Sequence, residues 1–399
     1  MIDSLKQYDI FIEVDVDRSR ISDAATIYPG CKIFGNQTLI CEGAELGYEA
    51  PVTIKNCFVG PGVKLKGGYF ENAVFLEGAN AGSGAHVRSG TIFEEQASIA
   101  HTVGLKQTIL FPFVTLGSLI NFCDCFMAGG TDRKNHSEVG SSYIHFNYTP
   151  NQDKATASLI GDVPKGVMLD QNPIFLGGQG GLVGPCRIVY GTVIAAGSIY
   201  RKDQLKPDHL VFEGVNRGGS VPYSTGIYRN VKRPTINTII YLANLVALMA
   251  WYTQVRRQFV DDPFPLALYE GLVQTLDVAI NERVKRFVAF CEKLPSSTQL
   301  YKQQMGDRAS AGLIEQKEQL FNKRHQVADL IQRHIETIKK QEPVAFCKII
   351  KKKKEAQKSD YLSVIANLQP EERSVGTKWL QDIVEEVEKE LLEVFSTIQ

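Results

Sequence analysis

The sequence has no excess of either charge: 44 Lys and Arg stand against 44 Asp and Glu in 399 residues. That balance removes the electrostatic pull toward nucleic acid or an anionic membrane that a strongly basic chain would carry. A basic start followed by an apolar stretch is also missing from MIDSLKQYDIFIEVDVDRSR, so export is not expected. Cysteine is scattered, at positions 31, 41, 57, 123, 125, 186, 291 and 347. Only Cys123 and Cys125 lie close together, at a spacing unlike zinc knuckles, and reduced thiols in a cytoplasm are the expectation. Long apolar runs are absent with one exception, INTIIYLANLVALMAWY, Ile236 to Tyr252. It carries Asn237, Thr238 and Asn244 and is shorter than the roughly 20 apolar residues a membrane span needs. A buried helix is expected instead. What is present is 44% hydrophobic residues, enough at this length for two domains with sizeable cores.

From Ile21 the aliphatics fall six apart: Ile21, Ile27, Ile33 and Leu39, then after a one-residue slip Ile40, Leu46, Val52 and Phe58. The beat lapses at Lys64. It returns at Val87, Phe93, Ile99, Leu105 and Phe111, and again at Leu176, Leu182, Ile188, Ile194 and Tyr200. Neither a 3.6-residue helix nor a period-2 strand gives this pattern over such a length. A hexapeptide repeat does, each six residues making one short strand and a corner, with the aliphatic pointing into a shared axis. Three such faces make a coil of about 18 residues, so residues that far apart are expected to stack at the strand spacing of about 4.8 Å.

After Pro234 the repeat is gone and the pattern is helical: Ile236 to Val260, Leu266 to Leu294, roughly Ala309 to Lys340, and Thr377 to Phe395. In the last, Leu380, Val384, Val387, Leu391 and Val394 form a short apolar stripe that fits a bundle. Lys351 to Lys354 is a solvated helix face, with no aromatic interleaving to suggest nucleic acid. The expected organisation is β + α: an N-terminal segment over 1–20, a parallel β-helix over 21–215, a linker over 216–234 and an α-helical bundle domain over 235–399.

Three stretches carry a resemblance. RSGTIFEEQASIAHTVGLK, residues 88–106, resembles the pattern R-x-G-x(4)-E-x-A-x(5)-V-x-[ML]-K. NYTPNQDKATASLIGD, from Asn147, resembles NYDG-x(2)-K-x-x-T-x-IGD with two extra residues around Lys154, and LVGPCRIVYGTVIAAGSIYRKD resembles LVAPV-x(5)-ATIAAG-x(4)-RD. These are motifs of the left-handed parallel β-helix of hexapeptide-repeat acyltransferases. The resemblance is closest to the acetyltransferase domain of the bifunctional glucosamine-1-phosphate acetyltransferase and N-acetylglucosamine-1-phosphate uridyltransferase, and covers about residues 20 to 215.

The resemblance implies a homotrimer with sites between neighbouring coils. Arg88 and Lys106 fall on the family's two basic residues that grip the substrate, and Asn147, Tyr148 and Lys154 on the loop that lines the crevice. An acyl-CoA such as acetyl-CoA would lie along the groove beside Gly178 and Ala196, and the acceptor would be a hexosamine phosphate or nucleotide-sugar. Ser118 falls on the family's catalytic His and Asn121 on its Tyr, and serine alone is no base near neutral pH. His136, one regular coil beyond Ser118, is the first replacement expected, His145 the second and His101 the third. Two functions stay open: an acyltransferase with a relocated base, and a non-catalytic trimeric sugar-nucleotide-binding or scaffold protein. Uridyltransferase activity is not expected, because the family's Gly-rich nucleotide-binding domain has no counterpart here. Zinc chemistry of the γ-carbonic anhydrase type is not expected either, since His86, His101, His136 and His145 lack a pair five apart.

Overall fold

A computed structural model describes residues 9–213, 219–220, 223–261, 265–341, 344–357 and 360–398. Residues 1–8 of the expected N-terminal segment, 214–215 of the expected β-helix and 216–218 and 221–222 of the expected linker lie outside the described residues.

The repeat half is a parallel β-helix with three faces. The first face runs from Phe11–Ile12 through Ala85–Val87 and Ile144–Phe146 to Ile199–Tyr200. The second runs from Leu39–Ile40 through Ala73–Phe75, Thr91–Phe93 and Ser158–Ile160 to Arg187–Ile188, and the third from Thr26–Ile27 through Ser98–Ile99 to Leu210–Val211. Strands Gly104–Leu110 and Asn121–Met127 turn the corner and serve two faces, with Gln107 (φ 53°) and Asp124 (φ 59°) left-handed at the bend. Phe11 already pairs with Lys32, so the coil starts before Ile21.

The coil length varies. On the third face Leu46 lies beside Leu65, Leu65 beside Ala81, Ala81 beside Ile99 and Ile99 beside Leu116, so each of these turns differs in length from the others. Leu116 lies beside Val139 and Val139 beside Leu176, because three insertions leave the coil there. They are the hairpin of Gly130–Asp132 with Asn135–His136, the loop 147–157, and helix α1, Val163–Gly166.

The helical region contains α2 (Lys232–Gln254), α3 (Leu266–Glu292), α4 (Leu294–Met305), α5 (Ala311–Lys323), α6 (Gln326–Lys340), α7 (Ala345–Gln357), α8 (Tyr361–Ala366) and α9 (Pro370–Val394). Apolar periodicity alone merges or misses several of these, because their ends are set by local caps. Pro295 opens α4, Gly306 (φ 53°) closes it, and Ser310 caps α5 by accepting from Leu313 N. A capping box between Gln369 and Glu372 starts α9 before Thr377.

Helix α2 is the hub, packed against α3, α6 and α9. It belongs to the only helical stretch among the described residues long and apolar enough to cross a membrane, Lys232–Phe259, and 89% of its most apolar window is buried inside the protein. The helices cover the second face, whose strands Ala73–Phe75 and Thr91–Phe93 are buried throughout. The two halves share one continuous apolar core. At their junction Tyr252 donates to Glu94, and Arg256 pairs with Glu95 while its guanidinium stacks 3.7 Å from the Tyr361 ring centre. Burial, with the charge of Glu95, pushes the Glu94 carboxyl up to about 8.

Candidate functional site

The register of the first face sorts the expected residues. His86 lies beside Gly104 and Val87 beside Leu105, which puts Arg88 beside Lys106 on the next rung. Lys106 in turn lies beside Cys123. The Arg88 guanidinium comes within 3.8 Å of the Cys123 sulfur. Burial and the Asp124 carboxylate push the Cys123 thiol up, and the charges of Arg88 and Lys154 oppose that rise. Arg88 and Lys106 therefore stack on one edge beside this buried thiol, and the charge of Lys154 reaches it, at the corner between the first and second faces.

Asp124, the carboxylate at this corner, is already engaged. Its two oxygens are taken by the Arg283 guanidinium of α3 and by the Asn147 side-chain amide. The loop after Asn147 is pinned by the helical region: the Lys154 carbonyl accepts from Arg283 at 3.3 Å, Tyr228 donates to Asp153 at 2.8 Å, and the Lys293 ammonium donates to the carbonyls of Asn151 and Gln152. The polar interruption of the repeat is thus a docking loop for the helices. Asn147 gives one N–H of its side-chain amide to Asp124, while Tyr148 stays exposed.

The expected histidines separate. His136 is not on the rung after Ser118: the insertion in that coil lines Ser118 up with Ser141, whose hydroxyl accepts from Ser118 N at 3.2 Å. His136 sits instead in the hairpin, paired with Gly130, at the far edge of the third face. His145 points into the coil, 2% exposed, with Nδ1 2.7 Å from the Cys123 carbonyl and Nε2 2.8 Å from Ser158 Oγ. Burial pushes it down to about 4, so it is a neutral core residue with no access to substrate. His101, by contrast, is exposed and lies on the rung before Ser118, its Nδ1 2.9 Å from Ser118 Oγ.

Ser118 heads a column of small residues at the corner between the third and first faces. Ser141, Gly178 and Ala196 follow, one per rung, over about 14 Å at the usual strand spacing. A Cβ on Gly177 would fall 2.3 Å from Ala196 N, and one on Gly140 would fall 2.4 Å from Gly178 N, so only glycine allows this approach. Between the column and the cations lies the outer first face, floored by Asn121, which is exposed, and Gly104, where a Cβ would meet open space. His101 and Lys106 are five positions apart in the chain, at most about 16 Å when extended. Arg283, Asp124 and Cys123 were not expected from sequence. The first two meet across 159 residues and leave no periodic trace.

By sequence the chain is similar to Bifunctional protein GlmU of Nitratidesulfovibrio vulgaris, 26% identical over 190 residues that make up 46% of this chain and 37% of that protein. It is similar to GlmU of Trichlorobacter lovleyi, 27% identical over 201 residues, 50% of this chain and 38% of that one. For GlmU of Geotalea uraniireducens the figures are 29% over 197 residues, 49% and 38%. The chain thus spans well under half the length of these relatives. No family model matches it. The structure of LpxA from Acinetobacter baumannii aligns with 48% of this chain and 67% of that one, at 13% identity and a TM-score of 0.20.

Proposed function

We propose that this protein, whose repeat half fits the hexapeptide-repeat acyltransferases, moves an acyl group from an acyl-CoA to a hexosamine phosphate or nucleotide-sugar laid across the first face. The observation that carries this is the cation cluster. Arg88, Lys106 and Lys154 gather at one corner while the carboxylate beside them is already paired with Arg283. Such an array is repulsive in itself and suits a phosphate.

With the phosphate held there, the acceptor amine reaches across Gly104 and Asn121 toward His101. In the tautomer this role requires, Nδ1–H of His101 donates to Ser118 Oγ 2.9 Å away, and the Nε2 lone pair takes the proton. The amine nitrogen bonds to the acyl carbon, the carbon–sulfur bond breaks, and CoA leaves as the thiol with the proton His101 collected. The column of Ser118, Ser141, Gly178 and Ala196 receives the pantetheine arm. Eight free, buried cysteines suit a reducing compartment such as the cytoplasm.

One observation favours a second reading, binding without transfer: Ser118 stands where the resemblance places the base. Acetyl transfer from acetyl-CoA to glucosamine 1-phosphate separates the two. For an enzyme, His101→Gln lowers turnover about 100-fold or more with acceptor affinity nearly intact. Arg88→Ala and Lys106→Ala each weaken binding of a uridine-diphosphate sugar by about 1.5 to 3 kcal/mol in calorimetry. A wild type that binds without turning over, and that gains transfer with Ser118→His, is a binder. Binding of neither probe ends both readings.

A further inference from the structure

Arg283 is a guanidinium only 3% exposed, placed on α3 and aimed at the β-helix corner. A charge that deep persists only where its partners are well placed. It pairs with Asp124 and donates to the Lys154 carbonyl at 3.3 Å. Asp124 in turn holds the Asn147 amide, and the Asn147 carbonyl accepts from Thr156 Oγ1 at 2.7 Å. Both ends of the loop 147–157 are therefore tied to one buried ion pair.

We infer that Arg283 is a positioning residue for the anion site, through which the helical region sets that site's charge and shape. The inference rests on the reading of the Arg88, Lys106 and Lys154 cluster as an anion site. Arg283 acts on it in two ways. It neutralises Asp124, the carboxylate next to Cys123, so that the three cations stay available to a ligand. It also clamps the loop that carries Lys154. Lys293, which joins α3 to α4, holds the carbonyls of Asn151 and Gln152, so a shift of α3 is passed to the same loop.

The probe is inorganic pyrophosphate, a bare anion that needs no acyl or sugar chemistry, titrated by calorimetry beside UDP-N-acetylglucosamine. Arg283→Met leaves Asp124 charged and unshielded among the cations, and pyrophosphate affinity should fall about tenfold or more. The double variant Arg283→Met with Asp124→Asn removes both charges and should recover most of that loss, which mere damage to the fold would not allow. Hydrogen exchange should quicken over 147–157 in both variants while Ala85–Val87 stays protected. Wild-type affinity in Arg283→Met overturns the inference, as does a double variant no better than the single or a wild type that binds no pyrophosphate. Pyrophosphate binding that depends on Arg283, with no UDP-N-acetylglucosamine binding, overturns the sugar-nucleotide reading and leaves the inference standing.

Discussion

His145 occupies an inward position of the coil, beside Leu182 on the next rung, with its ring 6.2 Å from that of Phe122. Both ring nitrogens have partners, and burial holds the group down to about 4. An unfolded chain would protonate it near 6.5. Its contribution to stability is therefore fully present above about pH 6.5 and is lost as pH falls toward 4, on the order of 3 kcal/mol in all. Urea unfolding at pH 7, 5.5 and 4.5 should show this acid limb in the wild type. His145→Leu should be less stable at pH 7, because Ser158 Oγ and the Cys123 carbonyl lose a partner, yet should lose less between pH 6.5 and 4.5. Equal losses in the two proteins would remove His145 as the source. Sequence spacing marks His145 only as a histidine near a polar loop. What makes it a core residue is the inward register of strand Ile144–Phe146, which insertions upstream shift.

Helix α3 carries Gly271 in its interior, where Gly normally costs about 1 kcal/mol relative to Ala. The reason is Phe58: an added Cβ would fall 2.3 Å from its ring. Gly271→Ala should therefore destabilise, by about 1 to 3 kcal/mol from overpacking, in place of the usual gain. The double variant with Phe58→Ala should lose less than the two single losses added together, read from thermal melts. Additive losses would show that the ring is not what reserves the space. Counting by sixes assigns Phe58 to the interior, but Leu39 pairs with Phe58 and Ile40 with Val59. Val59 points inward and Phe58 meets α3. A six-residue beat reports apolar side chains on both surfaces of a strand alike once a second layer covers the outside, which is why the second face misleads the count at Phe58.

In the whole molecule the helices cover the second face, and exposed apolar side chains gather on the other two near the end of the coil. Ile144 and Ile199 stand on the first face, and Phe175, Val193 and Leu210 on the third. Such a patch flanking the column of Ser141, Gly178 and Ala196 is the surface through which association is expected. Light scattering should give three times the 44.3 kDa chain mass at micromolar concentration, and Val193→Glu with Ile199→Glu should return the monomer. A wild type that stays monomeric there would end the expectation of a site shared between protomers.

Residue spacing alone specifies the β-helix, because an inward side chain at every corner-to-corner step is a local, repeating demand that a six-residue period records. It determined the stacking of Arg88 on Lys106 for the same reason, since that turn keeps the regular length of three hexapeptides. His136 illustrates the limit: one insertion lengthens its turn, which runs from Leu116 to Val139, and carries it off the rung. The tertiary structure alone decided that α3 would bring Arg283 to Asp124, that the loop from Asn147 would serve the helices, and that His101 would meet Ser118. Each depends on which face the helices cover or on the exact length of a turn, and burial of apolar surface, being non-directional, writes neither into the local pattern.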